Sequence, residues 1–124
     1  MALTEPLMLL DTNIVLYLLG GRLADPLLSG RYFVSVITEI ELLSYPSLNS
    51  DEERQIRNFL SEITVVGIDS NIKELAITLR KNYRLRLPDA IIVATAKSLD
   101  TILFTNDLGL TNLTEINTQS VRIL

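Results

Sequence analysis

The chain has 124 residues, 48% hydrophobic and 21% charged, which is typical of one folded globular domain and not of a disordered protein. The absence of histidine and cysteine excludes disulfides, thiol nucleophiles, Ser-His-Asp triads and the usual ligand sets for zinc, copper and iron. The net charge of -4 argues against binding nucleic acid through bulk electrostatics.

The start of the chain, MALTEPLM, has no basic segment and contains Glu5 and Pro6. We therefore expect no secretory signal. No apolar stretch approaches the roughly 18 residues of a membrane span, so we expect a cytoplasmic protein that makes no membrane contact.

Along the chain, short apolar runs alternate with longer segments of helical periodicity. Strands are predicted at residues 7–10, 32–37, 63–68, 102–104 and 121–124. The helix signals are the stop at Gly20 and Gly21, the Ser-x-x-Glu capping box at residues 50–53, the cap at Asp69 or Ser70, and Pro88 at the start of an apolar helix expected to be buried. Strands separated by helices usually join through right-handed crossovers, so the pattern predicts one α/β domain over residues 1–124 with a mostly parallel sheet.

Carboxylates follow the predicted strands, at the edge where open α/β sheets bind ligands. Asp11 comes directly after the first strand, Asp107 follows the fourth, Glu39 and Glu41 lie in the helix after the second, and Asp89 is in the first turn of the buried helix. Two carboxylates 4 Å apart repel by about 4 kcal/mol near a protein surface, so such a cluster needs a divalent cation. Without histidine or cysteine, that cation is expected to be Mg²⁺ or Mn²⁺.

Each acid also has a purely structural explanation. Asp11 is placed to cap the helix that begins at Thr12, Asp89 to stabilise a helix N-terminus by its charge, and Asp107 to stabilise a turn. Taken singly, these explanations suffice for every acid. Taken together, they require all the acids to reach the same end of the sheet by coincidence.

Four segments together resemble the PIN-domain nucleases, particularly the VapC toxin ribonucleases of VapBC toxin-antitoxin pairs. They are LLDTNIVLYLL at the start, SVITEIELL at 35–43, LPDAIIVATA at 87–96 and LFTND at 103–107, in matching order and spacing. The resemblance implies a three-layer α/β/α PIN-domain fold with about five strands, and Mg²⁺- or Mn²⁺-dependent endoribonuclease activity. The implied catalytic and metal-binding residues are Asp11, Glu41, Asp89 and Asp107, and the supporting polar residues are Asn13 and Thr105.

The choice between Glu39 and Glu41 comes from this resemblance. Residues two apart on a helix point about 200° away from each other, so only one of the two faces the cluster. The family pattern Thr-x-x-Glu-Leu-Leu selects Glu41 and leaves Glu39 as a surface charge. The chain departs from the family at Gly109 and Leu110, where relatives commonly carry an Asp-Phe pair, so a fifth acidic ligand is missing.

A basic segment precedes Asp89 and is the candidate contact for RNA phosphates, with a solvated helix end as the alternative. Its members are Arg80, Lys81, Arg84 and Arg86, and Tyr83 between them is placed to stack on a base. The helix after Asp11 and the helix of residues 51–60 carry apolar residues on several faces, and core burial explains most of them: Leu16, Leu19, Ile56 and Phe59. The resemblance implies that helices in this region form a groove for an antitoxin peptide, and it also implies a homodimer.

Two further functions compete with the nuclease. A catalytically silent PIN-fold module that binds RNA or protein is favoured by the Gly109 departure and the acidic net charge. A phosphatase of the haloacid-dehalogenase type would use Asp11 as nucleophile, but it needs a second aspartate where this chain has Asn13.

Overall fold

A computed structural model of the protein describes residues 5–124. Five strands and six helices are found in these residues. In chain order they are β1 (Leu7–Leu10), α1 (Thr12–Leu19), β2 (Arg31–Ser35), α2 (Val36–Leu43), α3 (Ser50–Ser61), β3 (Thr64–Val66), α4 (Ser70–Tyr83), α5 (Leu87–Leu99), β4 (Ile102–Phe104), α6 (Leu108–Thr111) and β5 (Asn117–Gln119).

The strands form one parallel sheet in the order β3-β2-β1-β4-β5. Alternate residues of the central strands point to opposite faces, because side chains in a strand alternate with a period of two. Leu9 and Leu103 pack with α4 and α5 on one face, whereas Leu10 and Phe104 pack with α1 and α3 on the other. The sheet is therefore covered on both faces, which confirms the predicted three-layer α/β/α architecture.

Helix α5 is the most deeply buried element. All seven residues from Ala90 to Ala96 are buried, consistent with the apolar pattern that begins at Pro88. The helix lies beside α4 and contacts β2 and β4, so its N-terminus is held in a fixed position relative to the carboxyl edge of the sheet. Asp89 lies in that N-terminal turn.

The predicted boundaries are wrong for four elements. Strand β3 is Thr64–Val66 and not residues 63–68. Strand β2 ends at Ser35 and not at residue 37, because the Ser35 hydroxyl accepts a hydrogen bond from the Ile37 amide and starts α2. The capping box of α3 uses Asn49 and Glu52, one residue earlier than predicted. The fifth strand is Asn117–Gln119, a polar edge strand, whereas residues 121–124 form only an isolated antiparallel bridge with Leu23.

Candidate active site

Three strands at the centre of the sheet end at the N-termini of helices. Asp11 follows β1, and its Oδ1 accepts a hydrogen bond from the Thr12 amide at 2.8 Å. Asp107 follows β4 by three residues, and its Oδ1 accepts from the Gly109 amide at 2.8 Å. Ser35 caps α2 in the same way. Because β2, β1 and β4 are parallel neighbours, these junctions lie along one edge of the sheet.

Thr105 connects Asp11 with Asp107. Its hydroxyl donates to Asp11 Oδ2 at 2.7 Å and accepts from the Asp107 amide at 3.1 Å. Thr105 is fully buried, so these bonds are shielded from water. The side chain of Asn106 exchanges two hydrogen bonds with the backbone of Val121, at 2.8 and 3.0 Å. The loop after β4 is thus fastened on both sides, and Asp107 is held close to Asp11.

Glu41 is joined to the site by hydroxyl groups that the sequence reasoning missed. The Thr12 hydroxyl donates to Glu41 Oε1 at 2.7 Å, and the Thr38 hydroxyl lies 2.9 Å from the same Thr12 oxygen. The single hydroxyl proton of Thr12 is used in the hydrogen bond to Glu41, so in the bond between the two threonines Thr38 is the donor and Thr12 the acceptor. Thr38 is fully buried and lies three residues before Glu41, about one helical turn. The Thr-x-x-Glu pattern was therefore the feature of the sequence from which a role for Thr38 could have been inferred.

Asp89 is paired with Arg86, the N-cap residue of α5. The Arg86 Nε lies 3.3 Å from Asp89 Oδ2, and the exposed fractions of the two side chains are 80% and 17%. The carboxylate is therefore largely shielded, whereas the guanidinium stands mostly in solvent.

Burial raises the pKa of the Asp11 carboxyl above its ordinary value, because desolvation disfavours the charged form. Hydrogen bonds from Thr105 and from the Thr12 amide oppose this rise, whereas the negative charges of Asp89 and Asp107 add to it. The charges of two other acids of the site therefore act on Asp11, and Glu41 is connected to the same strand end through the Thr12 hydroxyl.

The remaining residues of interest lie at the surface. Asn13, in the first turn of α1, is exposed, and it is Thr12 beside it that reaches Glu41. The basic segment spans the end of α4 and the start of α5, and all four of its members are exposed: Arg80, Lys81, Arg84 and Arg86.

Comparison with known proteins is consistent with the motifs and the fold. The family model described as PIN domain matches residues 8–116. The chain belongs to the PIN domain family. No curated protein matches the chain. PIN domains are generally nucleases and typically depend on divalent metal ions.

Several solved structures are similar to this PIN domain over nearly its whole length. A chain of a toxin-antitoxin complex from Klebsiella pneumoniae is 32% identical with a TM-score of 0.74, and the match covers 88% of this chain and 94% of that one. For VapBC-1 from nontypeable Haemophilus influenzae the identity is 26%, the TM-score 0.72 and the coverage 92% and 97%. VapBC2 from Rickettsia felis, bound to a DNA fragment, is 16% identical with a TM-score of 0.78 and coverage of 92% and 98%, a likeness of fold.

The donor set of the PIN domain's acidic edge fits a hard divalent cation. Carboxylate oxygens are the ligands that Mg²⁺ and Mn²⁺ prefer, and a cation near Asp11 would offset the charges of Asp89 and Asp107 that act on it. In the conformation described for residues 5–124, however, no three acidic side chains lie close enough together to form a metal-binding group. Each acid instead contacts a protein donor: Asp11 with Thr12 and Thr105, Glu41 with Thr12, Asp89 with Arg86, and Asp107 with Gly109.

A groove of about 340 Å³ lies between α1 and α3 of the PIN domain. Leu16, Leu19 and Ile56 line it, together with Tyr45 and Leu48. Ile56 is also buried in the core, and Leu16, Leu19 and Phe59 pack against the same core, as expected for most of these four residues. Within residues 5–124, no helix has the length and apolar character that crossing a membrane requires.

Proposed function

We propose that this PIN domain is a Mg²⁺- or Mn²⁺-dependent endoribonuclease, the toxin of a toxin-antitoxin pair in the cytoplasm. The observations that support the proposal are the buried hydroxyl bonds of Thr105 to Asp11 and of Thr12 to Glu41, and the effect of the Asp89 and Asp107 charges on Asp11. Structural caps alone do not require such links between separate elements. The four acids would hold the cation.

Each residue of the edge then has a distinct role. Thr105 orients Asp11, and Thr12 orients Glu41, each by donating a hydrogen bond to one carboxylate oxygen. The other Asp11 oxygen accepts from the Thr12 amide, and each carboxylate oxygen keeps a second lone pair for a ligand. A bound divalent cation polarises the phosphoryl oxygen and lowers the pKa of water. The basic segment would hold the neighbouring phosphates of the RNA.

The test is cleavage of single-stranded RNA with Mg²⁺ or Mn²⁺ and with chelator, using Asp11→Asn and Asp107→Asn. Both variants should lose metal-dependent cleavage while keeping the fold. Asp100→Asn is the matched control, because Asp100 is exposed and lies between α5 and β4, at the opposite end of the sheet, in a left-handed conformation that asparagine tolerates. Retained activity in Asp11→Asn, or equal loss in Asp100→Asn, would contradict the assignment.

A silent binding module is the second candidate, and the open arrangement of the acids favours it. Isothermal titration with Mn²⁺ separates the two functions when it is followed by the cleavage assay. Metal binding without any cleavage, across several RNA substrates, would favour the module.

The toxin role also predicts a protein partner. The related structures are toxin-antitoxin complexes, and the groove between α1 and α3 offers an apolar surface for an antitoxin segment. Leu19→Glu should abolish antitoxin binding without affecting cleavage, because Leu19 lines the groove at the far end of α1 from Asp11. We also propose a homodimer, on the resemblance to the family, and light scattering at several concentrations tests it.

A further inference from the structure

Arg86 occupies a position that helix stability disfavours. It is the N-cap of α5, where short side chains with an acceptor oxygen are preferred, and it makes no capping hydrogen bond. Its positive charge also lies at the positive end of the helix dipole, which is unfavourable. The requirements of α5 therefore do not explain an arginine here.

Two residues earlier, the backbone is strained. Arg84 ends α4 with a φ of 56°, a left-handed conformation that favours glycine. Two basic residues within three positions thus lie where local stability would select other residues. Such departures from local preference are typical of functional segments.

The contact between Arg86 and Asp89 is asymmetric. Asp89 is held in the first turn of the buried helix α5, and its side chain is only 17% exposed, whereas that of Arg86 is 80% exposed. The guanidinium is free to move into solvent, while the carboxylate stays at the edge of the sheet. A ligand that binds the Asp89 carboxylate therefore has to displace only the Arg86 guanidinium.

We propose that Arg86 is a positioning residue that competes with the divalent cation for Asp89. The guanidinium holds the Asp89 carboxylate until a cation binds, and the displaced guanidinium then contacts a phosphate of the bound RNA. This inference rests on the proposed nuclease function and deepens it, because it couples cation binding to RNA binding: a cation that takes Asp89 frees Arg86 to contact the RNA.

The experiment is isothermal titration with Mn²⁺ in the absence of RNA. Arg86→Gln should bind Mn²⁺ about two- to fivefold more tightly than the wild type, the range expected when one exposed ion pair is removed. Arg84→Gln is the matched control, since it removes the same charge from the same segment and keeps the same backbone requirement; its affinity should change by less than about 1.5-fold at physiological salt. Arg86→Lys keeps the charge and should remain close to the wild type.

A second measurement tests the other half of the inference. At saturating Mn²⁺, Arg86→Gln should raise the KM for single-stranded RNA and leave kcat nearly unchanged, because a phosphate contact is lost and the metal site is intact. A purely structural role for Arg86 would not tighten Mn²⁺ binding and weaken RNA binding in one variant.

Unchanged Mn²⁺ affinity in Arg86→Gln, or an equal gain in Arg84→Gln, would overturn the competition while leaving the nuclease proposal intact. An unchanged KM would overturn the proposed contact between the displaced Arg86 guanidinium and an RNA phosphate. If the wild type bound no Mn²⁺ at all, the proposed metal site would fail, and this inference would fail with it.

Discussion

Replacement of Thr12 by valine tests the hydroxyl chain that orients Glu41. Valine has nearly the same shape as threonine, so the change replaces the hydroxyl by a methyl group and leaves the size of the side chain almost unchanged. The lost hydroxyl donates to Glu41 Oε1 and accepts from Thr38. Thr12 is 8% exposed and Thr38 is fully buried. No water is therefore available to replace the bond that Thr38 loses.

The expected cost has two parts. Loss of a hydrogen bond to a charged group typically costs about 1.5 to 3 kcal/mol, and a buried hydroxyl left without a partner costs about 1 to 3 kcal/mol. Since Glu41 is only half-buried, we expect Thr12→Val to lower the free energy of unfolding by about 3 kcal/mol. Thr38→Val should cost only about 1 kcal/mol, because the Thr12 hydroxyl keeps its bond to Glu41.

The double variant decides whether the proton order is right. It lacks both hydroxyls, so no buried donor is left without an acceptor. Its decrease in the free energy of unfolding should therefore be smaller than the sum of the two single decreases, by about 1 to 2 kcal/mol. Urea unfolding at neutral pH measures all three variants. Thr78→Val is the control, because Thr78 is exposed on α4, and it should stay within about 0.5 kcal/mol of the wild type. Strictly additive single effects, or a loss in Thr12→Val no larger than that in Thr78→Val, would refute the hydroxyl chain.

Substitutions at four positions, Asp11, Gly30, Gly67 and Arg84, give three further expected outcomes. The raised pKa of Asp11 means that the folded state binds the Asp11 proton more tightly than the unfolded state does, so this contribution to stability is present at low pH and is lost as pH rises through the folded-state pKa. The stability of Asp11→Asn relative to the wild type, measured by urea unfolding, should therefore increase as pH rises above the ordinary aspartate pKa of about 4, and a flat difference would contradict this. Gly30→Ala should lower the free energy of unfolding by about 1 to 3 kcal/mol, because the added Cβ would lie 2.9 Å from the Pro6 carbonyl oxygen. In Gly67→Ala the added Cβ meets nothing within 4 Å, so this variant should be neutral or stabilising. If thermal unfolding ranked the two variants in the opposite order, the close packing at Gly30 would be refuted. Arg84→Gly should raise the free energy of unfolding by about 1 kcal/mol by relieving the left-handed φ, and the same variant should bind RNA more weakly.

Apolar runs predicted the central strands because the sheet is covered on both faces. β1 and β4 were predicted to the residue, since strands buried on two sides consist almost entirely of apolar residues. The edge strand β5 escaped the same reasoning. Its sequence, Asn-Thr-Gln, pairs with only one neighbour and carries exposed side chains, so no hydrophobic pattern marks it, and the apolar residues 121–124 were chosen instead.

The candidate site shows the corresponding limit for polar residues. Asp11 and Asp107 were recognisable from their positions after strands, because the carboxyl ends of parallel strands share an edge. Glu41, by contrast, was selected over Glu39 only by the family pattern, and its role stays a prediction. The roles of Thr12 and Thr38 depend on how α1 packs beside α2, a contact between segments 26 residues apart that spacing does not encode. The pairing of Arg86 with Asp89 was within reach of sequence reasoning, since residues three apart adjoin on a helix.

The structural explanation of the acids and the proposed functional one are compatible with each other. Capping bonds to Asp11 and Asp107 fix each carboxylate at the point where a strand gives way to a helix, and this is the edge where a ligand would bind. At 4 Å each pair of carboxylates would repel by about 4 kcal/mol near the surface, so the acids do not close on one another unaided. Separate donors hold each of them: a main-chain amide, a threonine hydroxyl or the Arg86 guanidinium. Of these donors, only Arg86 is both charged and largely exposed, so Asp89 is the acid whose release requires the least rearrangement of the fold.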